Sequence, residues 1–285
     1  MSLHELTSST KVLETLAAMI HQESGIIFTP SHMKVLDQRV QSTLKEKKCS
    51  DIELLELLKN NKNELHAFIG HVTTNHTQFF RSIGQYELLG TMILPELVQK
   101  NKLTKTIKLW SAASSSGEEA YTCAMYIQYY FDTHGLSDWY LEIFATDIDQ
   151  TSIKLGENAE YPFDALRHVP QEYHQYLDID SGRLDEFGFV EGAKFSIKPA
   201  IRNLVSFQEH NLLDSAPYRD IDIIFCRNVL IYFDEKTQHK VVSHLEKALA
   251  SKGYFFVSPS ETLNGITGNL EIKIFPKGIY YIKKD

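Results

Sequence analysis

Residues 107–119 read IKLWSAASSSGEE. Positions 107–110 form a β-prone run, 111–117 a tract of serine and alanine closed by a single glycine, and the glutamates at 118 and 119 open a helical segment reaching about residue 130. Strand, tight small-residue loop and helix, in that order, make the first unit of a mostly parallel sheet with crossover helices. The same grammar continues downstream. β-rich runs recur at 142–145, 204–208, 222–225, 254–257 and 279–282, with helical segments at 150–158 and 235–250, the last expected to end at Gly253. An α/β domain is therefore expected over 81–285.

Upstream, through about residue 80, the apolar residues recur at three and four and no strand signal appears, which predicts a helical domain and linker over 1–80. Met33, Leu36, Val40 and Leu44 share one helical face, with Lys34, Gln41, Lys45 and Lys48 roughly opposite. One further stretch breaks the α/β alternation. DSGRLDEFGFVEGAKFSIKP, ending at Pro199, places glycines at 182, 188 and 192 among β-prone residues and predicts a small antiparallel insertion over about 178–200.

The composition is that of a soluble globular protein, with 43% apolar and 23% charged residues over 285 positions. No run of about 18 uncharged apolar residues is present and the first residues lack a secretory core, so a cytoplasmic protein is expected. Cys49, Cys123 and Cys226 are an odd number without CxxC spacing. They read as reduced thiols, and neither a disulfide framework nor a metal site is expected. A net charge of -8 argues against nucleic-acid binding, although Lys34, Arg39, Lys45, Lys47 and Lys48 stand against only Asp37 and Glu46 in one short basic stretch. That stretch is either a solvated helix face or a contact for an acidic partner. Nothing marks a large self-complementary apolar surface, and a monomer is expected.

In open α/β sheets ligands bind outside the carboxyl ends of the strands. The loop at 111–119 has small side chains that let a ligand approach the backbone, and only Gly117 where a dinucleotide fingerprint needs three glycines. A phosphate-free nucleoside such as S-adenosylmethionine is compatible with it, and so is an ordinary strand-to-helix turn. After the second strand, Asp147 is placed to accept the hydroxyls of a ribose, while Asp149 is the better placed helix cap. After the third, Asn211 and Leu212 follow His210; Asn211 is equally a nucleoside contact and a turn residue. Arg227 and Asn228 sit between an apolar strand and an aromatic cluster, a costly pair to bury without a ligand. The junction segment TTNHTQFFR, 73–81, offers Asn75, Thr77 and Arg81 at an interdomain cleft.

Taken together, TTNHTQFFR, WSAASSSGEEAY, FATDID, HNLLD and FCRNVLIYF resemble, in order and approximate spacing, the chemotaxis receptor methyltransferases of the CheR family, over nearly the whole chain. The TNxTxFFR pattern and FCRNVLIYF are the specific elements. Alanine at 120 replaces a proline common in that family. The resemblance implies a Rossmann-like methyltransferase sheet, a small all-α amino-terminal domain and an inserted antiparallel β-subdomain. It implies S-adenosylmethionine as cofactor, held by Asn75, Thr77, Arg81, Glu119, Asp147, Asn211, Leu212, Arg227 and Asn228. Arg81 and Tyr232 would handle the substrate carboxylate. The implied reaction forms glutamate 5-O-methyl esters on the cytoplasmic helical region of methyl-accepting chemotaxis receptors, the chemistry that sets sensory adaptation. Lys34, Arg39, Lys45 and Lys48 would dock that region. Some members also bind a receptor carboxy-terminal peptide as an added strand, which the divergent loop at 182–192 leaves open here.

A glutamate with a pKa near 4.3 is already an anionic nucleophile at neutral pH, so methyl transfer to it needs no general base. The absence of an evident triad or acid–base dyad is consistent with that. A strong bidentate pair with Arg81 would orient the glutamate but blunt its nucleophilicity, so a bridging or transient contact is expected. Two rival readings weigh less. One is a methyltransferase of the same fold acting on a nucleic acid or a small molecule, of which the acidic balance and the lack of a [DN]PPY motif disfavour nucleic acid; the other is a silent S-adenosylmethionine-binding or scaffold module, disfavoured by the retention of Arg81 and Tyr232.

Overall fold

Helix signals at the amino end are local and explicit. In the computed structural model, which describes residues 10–73, 76–179, 192–263, 265–266 and 268–285, they delimit α1 (Thr10–Ser24), α2 (Pro30–Lys47), α3 (Asp51–Asn60) and α4 (Lys62–Val72). The Thr29 side chain caps α2 with Pro30 in its first turn, Ser50 and Glu53 form a capping box on α3, and Asn61 caps α4. The apolar face of α2 packs as expected: Leu36 and Val40 are buried with Leu16, Ile20, Leu54 and Ile69, and Met33 and Leu44 are half-buried against them. Lys34, Arg39 and Lys45 are exposed. Lys48, also exposed, lies at the left-handed C-cap with φ 51° rather than on the helix itself.

A junction of α5 (Ile83–Leu88), a π-helical turn (Leu89–Ile93) and α6 (Leu94–Lys100) leads into the sheet. The wide turn directly precedes Pro95, which has no N–H for the regular ladder. Seven strands follow: β1 (Thr106–Ala112), β2 (Tyr140–Asp147), β6 (Val205–Glu209), β7 (Ile221–Phe225), β8 (Leu249–Phe256), β9 (Leu270–Phe275) and β10 (Gly278–Lys283). Their spatial order is β6-β2-β1-β7-β8-β10-β9, parallel from β6 to β8 and closed by an antiparallel hairpin. The crossovers run through α7 (Glu118–Thr133), α8 (Gln150–Asn158) and α10 (Glu235–Ala248). This is a Rossmann-like sheet. Its strands bury alternate residues on opposite faces: Ile107, Leu109, Ile223 and Phe225 in one core, Trp110, Ala112, Ile224 and Cys226 in the other.

All six expected runs fall on strands, none overrunning its strand by more than a residue, although β8 begins five residues earlier than expected and β2 extends two residues further at each end. β9 is not among them, although Leu270, Ile272 and Ile274 alternate with Glu271 and Lys273. Gly253 does not end α10, as the sequence suggested: α10 stops at Ala248, and Gly253 lies inside β8 where the register with β7 slips, Ile221 facing Leu249 but Ile223 facing Tyr254. A Cβ there would come within 2.9 Å of the Ala250 carbonyl and 3.1 Å of the Ile221 carbonyl, so the bulge requires glycine.

A second, antiparallel sheet has the order β3-β5-β4, from β3 (Glu160–Pro162), β4 (Leu177–Ile179) and β5 (Lys194–Ile197). Two of its strands, β4 and β5, fall at the start of and within the expected insertion; residues 180–191, with Gly182 and Gly188, lie outside the described residues. α9 (Pro199–Arg202) returns the chain to β6. Phe79 of the junction anchors this sheet, its ring 4.8 Å from Tyr161 and 5.8 Å from Phe195.

Four contacts fasten the helical domain over the carboxyl ends of the strands. Buried His66 of α4 is hydrogen-bonded to Glu23 at 2.7 Å and to Glu209 at 2.6 Å. The Asn211 side chain donates to the Glu23 carbonyl at 2.7 Å. Ile27 N–H donates to the Tyr232 carbonyl at 2.9 Å beside an Ile26–Phe233 bridge. Gly70 of α4 seats directly on Asp149.

Candidate active site

The ends of β1, β2, β6 and β7 open into one cavity, which Ser24, Ile26, Ile69 and Thr73 of the helical domain wall from the other side. The loop after β1 is bent by left-handed residues, Ala113 (φ 65°), Ser115 (φ 50°) and Gly117 (φ 93°). Gly117 is obligatory twice over, because a Cβ would meet the Phe207 ring at 2.8 Å. Ser114 N–H donates to the Thr146 carbonyl at 2.9 Å and Ser115 N–H to Asp147 Oδ2 at 2.8 Å, which ties this loop to the end of β2.

Asp147 also accepts from Asp149 N–H at 3.0 Å on its other oxygen, leaving each carboxylate oxygen spare acceptor capacity beside the cavity. The capping role belongs to Asp149, which takes Thr151 N–H at 2.9 Å and Ser152 Oγ–H at 2.8 Å. Burial pushes the Asp147 carboxyl up to about 6, against the pull of the Asp149 and Ser115 amides. The sign follows: the free protein takes up a proton as pH falls through about 6 and loses an acceptor for ligand hydroxyls. Cofactor affinity measured by calorimetry should weaken about tenfold between pH 8 and pH 5, and Asp147→Asn should bind weakly without that pH step.

Glu119, on the first turn of α7, accepts from Ser111 Oγ–H at 2.7 Å and pairs with Arg227 at 3.2 Å. Burial raises its carboxyl; Arg227 and then Ser111 oppose the rise. Arg227 is itself only 1% exposed at its side chain, and its other nitrogen donates to the Arg81 carbonyl at 2.7 Å. One guanidinium thus joins β7, α7 and the junction. Arg81 donates to the His76 carbonyl at 2.8 Å and has no carboxylate partner among the described residues. Thr77 lines the same wall; Asn75 lies outside the described residues.

Asn211 makes the contacts of a turn residue, with its amide on the Glu23 carbonyl and its side-chain oxygen accepting from Leu213 N–H at 3.0 Å. Its position and Leu212 still border the cavity. Asn228 adopts φ 61° and Tyr232 lies in the 3-10 turn Leu230–Tyr232, both on the cavity wall. Thr77, Arg81, Glu119, Asp147, Asn211, Leu212, Arg227, Asn228 and Tyr232 are therefore brought together, whereas Lys34, Arg39, Lys45 and Lys48 are not among its lining residues. The sequence reading missed Ile26 and Ile69, which read as ordinary helical-domain core, and Glu261, whose buried carboxylate holds the Asn228 turn.

Two family models divide the chain between them: the CheR methyltransferase all-alpha domain matches residues 11–73, and the CheR methyltransferase SAM binding domain matches 75–278. The chain belongs to the CheR methyltransferase family. A chemotaxis protein methyltransferase of Borreliella burgdorferi is 32% identical over 266 residues, 91% of this chain and 90% of its own. One from Vibrio parahaemolyticus is 31% identical over 97% of this chain and 98% of its own, and chemotaxis protein methyltransferase 1 of Pseudomonas aeruginosa is 27% identical over 98% and 100%. This CheR methyltransferase is S-adenosylmethionine-dependent, and the donor set of its cavity fits that cofactor. A strand-end carboxylate with free lone pairs suits a ribose diol, and Ile148, Leu212 and Val229 supply apolar wall for a base. Glu119 and Arg81 supply both signs of charge for an amino-acid end. Among the described residues no helix is long and apolar enough to cross a membrane.

Proposed function

We propose that this chain methylates glutamate side chains in the cytoplasmic helical region of a chemotaxis receptor, forming the 5-O-methyl esters that set sensory adaptation. The observation that carries this reading is Arg81. It is a cation on the wall of the cofactor cavity that makes no ion pair among the described residues, with Tyr232 on the same wall. A site built for an anionic substrate needs such a group left available.

Bound S-adenosylmethionine supplies an electrophilic methyl group on a sulfonium. The chain's residues bind, orient and desolvate. Asp147 accepts the ribose hydroxyls, Glu119 and the Thr77 segment hold the amino-acid end, and the 211–212 turn and Val229 border the base. Arg81 draws in the substrate carboxylate and Tyr232 orients it with a weaker neutral hydrogen bond. No side chain removes a proton, because the glutamate is already ionised. Opposite charges disappear as the ester forms, so water that solvates them opposes reaction. Ile26 and Ile69 limit that water from the helical-domain side, and Phe233, bridged to Ile26, does so from the sheet side.

Docking is assigned to the exposed Lys34, Arg39, Lys45 and Lys48 against an acidic helical surface. Lys47 is excluded because it pairs with Glu64 at 2.9 Å. Such steering weakens with salt. The test gives purified protein labelled cofactor and receptor-bearing membranes. Base-labile label on receptor glutamates is expected, with Arg81→Ala lowering kcat on the order of 10²-fold. Lys45→Ala should instead weaken receptor affinity at low salt and leave kcat near wild type. Cofactor binding without transfer to any receptor carboxylate would overturn the reading; a kcat loss confined to Lys45→Ala would overturn the division of roles.

A further inference from the structure

Glu261 is 6% exposed, follows β8 by five residues, and has no ion pair among the described residues. A carboxylate buried without a cation is costly unless donors replace water. Three backbone donors do so here. Oε2 accepts from Asn228 N–H and from Ser258 N–H, both at 2.8 Å, and Oε1 accepts from Ile231 N–H at 3.3 Å. Ser258 belongs to Glu261's own turn, closed by Glu261 N–H donating to the Ser258 carbonyl at 2.9 Å. The other two belong to the segment that carries Arg227, Asn228 and Tyr232.

That segment needs outside support. Asn228 stands at φ 61°, in the left-handed region, which asparagine tolerates better than other side-chain-bearing residues but which leaves its N–H outside any regular helix or strand. Val229 is also irregular, at φ -125° and ψ -34°, before the short 3-10 turn Leu230–Tyr232. A turn of three residues has little cohesion of its own. Glu261 pins it at two points, one on each side of Val229.

We propose that Glu261 is a positioning residue of methyl transfer: its carboxylate holds the Arg227–Asn228 turn through one oxygen and the Tyr232 turn through the other. It sets where the substrate carboxylate meets the bound cofactor without touching either. The inference rests on the proposed role of Tyr232 in handling that carboxylate. The two oxygens make the roles separable. In Glu261→Gln the amide oxygen can keep the two 2.8 Å bonds, while the NH2 group faces Ile231 N–H, donor against donor. Tyr232, the next residue, should then lose its register while the Asn228 turn keeps its own. Glu261→Ala releases both.

The experiment measures S-adenosylhomocysteine affinity and stoichiometry by calorimetry, and receptor methylation kinetics, for full-length wild type, Glu261→Gln and Glu261→Ala. Expected for Glu261→Gln is one site per chain with Kd within about threefold of wild type and kcat lower by about 10²-fold, the cost of an ångström-scale misplacement. Glu261→Ala should also weaken Kd about tenfold, the loss of one charge-assisted hydrogen bond. A merely structural Glu261 would lower the binding-competent fraction and leave kcat per bound site unchanged; that result in Glu261→Gln overturns the proposal. If Glu261→Ala fails to fold, Glu261→Gln alone decides. If wild type transfers nothing to receptor carboxylates, the reading of the reaction fails, and the affinity arm still judges the hold on the Asn228 turn: equal Kd in all three proteins would overturn it.

Discussion

Arg227→Ala is expected to lower the free energy of unfolding by about 3–5 kcal/mol and to abolish cofactor binding at concentrations that saturate wild type. The reason is the state of what stays behind. Arg227 and Glu119 are paired at 3.2 Å with their side chains 1% and 14% exposed. Removing the cation leaves a buried carboxylate whose remaining side-chain donor is Ser111, and it also frees the Arg81 carbonyl and the Tyr86 hydroxyl. Burial already raises the Glu119 carboxyl with Arg227 present, so in the variant it should take up a proton more readily still. The penalty should therefore be largest at alkaline pH and shrink as pH falls through that raised value. Urea unfolding of Arg227→Ala, Glu119→Gln and the double variant checks this. The double variant should be much less destabilised than the sum, and strict additivity would show that the pair is not coupled.

Gly70→Ala should destabilise by about 2–4 kcal/mol, although alanine is the better helix former by about 1 kcal/mol. A Cβ at position 70 would lie 2.3 Å from Asp149 Cγ and 2.4 Å from its Oδ2. Asp149 is 6% exposed and cannot swing away without giving up Thr151 N–H and Ser152 Oγ–H at the start of α8, itself worth about 1 kcal/mol. Either the cap breaks or α4 lifts from the sheet. Because Ile69 and Thr73 on either side of Gly70 wall the cavity, lifting α4 should weaken cofactor affinity along with the melting temperature. Thermal melts with and without S-adenosylhomocysteine check both. Gly70→Ala/Asp149→Ala should be less damaged than the sum of the singles, since removing the carboxylate makes room for the methyl group.

Much of the fold is legible because its determinants are local. Alternating strand and helix periodicity marks the sheet, and Thr29-Pro30, Ser50 with Glu53, Asn61, Asp149 and Asp234 cap helices in the way their types and spacing indicate. Gly253 misled for the opposite reason. A glycine after a helical run usually ends the helix, yet here the carbonyls of Ile221 and Ala250, one of them on a neighbouring strand, demand it. The candidate site was legible where a strand ends, because a parallel sheet of known sense delivers those loops to one edge. Asp147, residues of the 111–119 loop, Asn211 and the Arg227–Asn228 pair, all singled out that way, border the same cavity.

The sequence by itself determined the alternating strand–helix grammar of the sheet, the edge of the sheet that carries the site, and the family, because strand ends and short motifs are read along the chain. Only the tertiary structure decided what those residues face. Asn211 reaches the Glu23 carbonyl 188 residues away, His66 reaches Glu209 across 143, and Arg227 reaches Glu119 across 108. A side chain's chemistry depends on who desolvates it and who hydrogen-bonds it. Glu261 is the clearest case: in the chain it is one glutamate after a strand, and in the fold it is the acceptor that holds the Asn228 and Tyr232 turns.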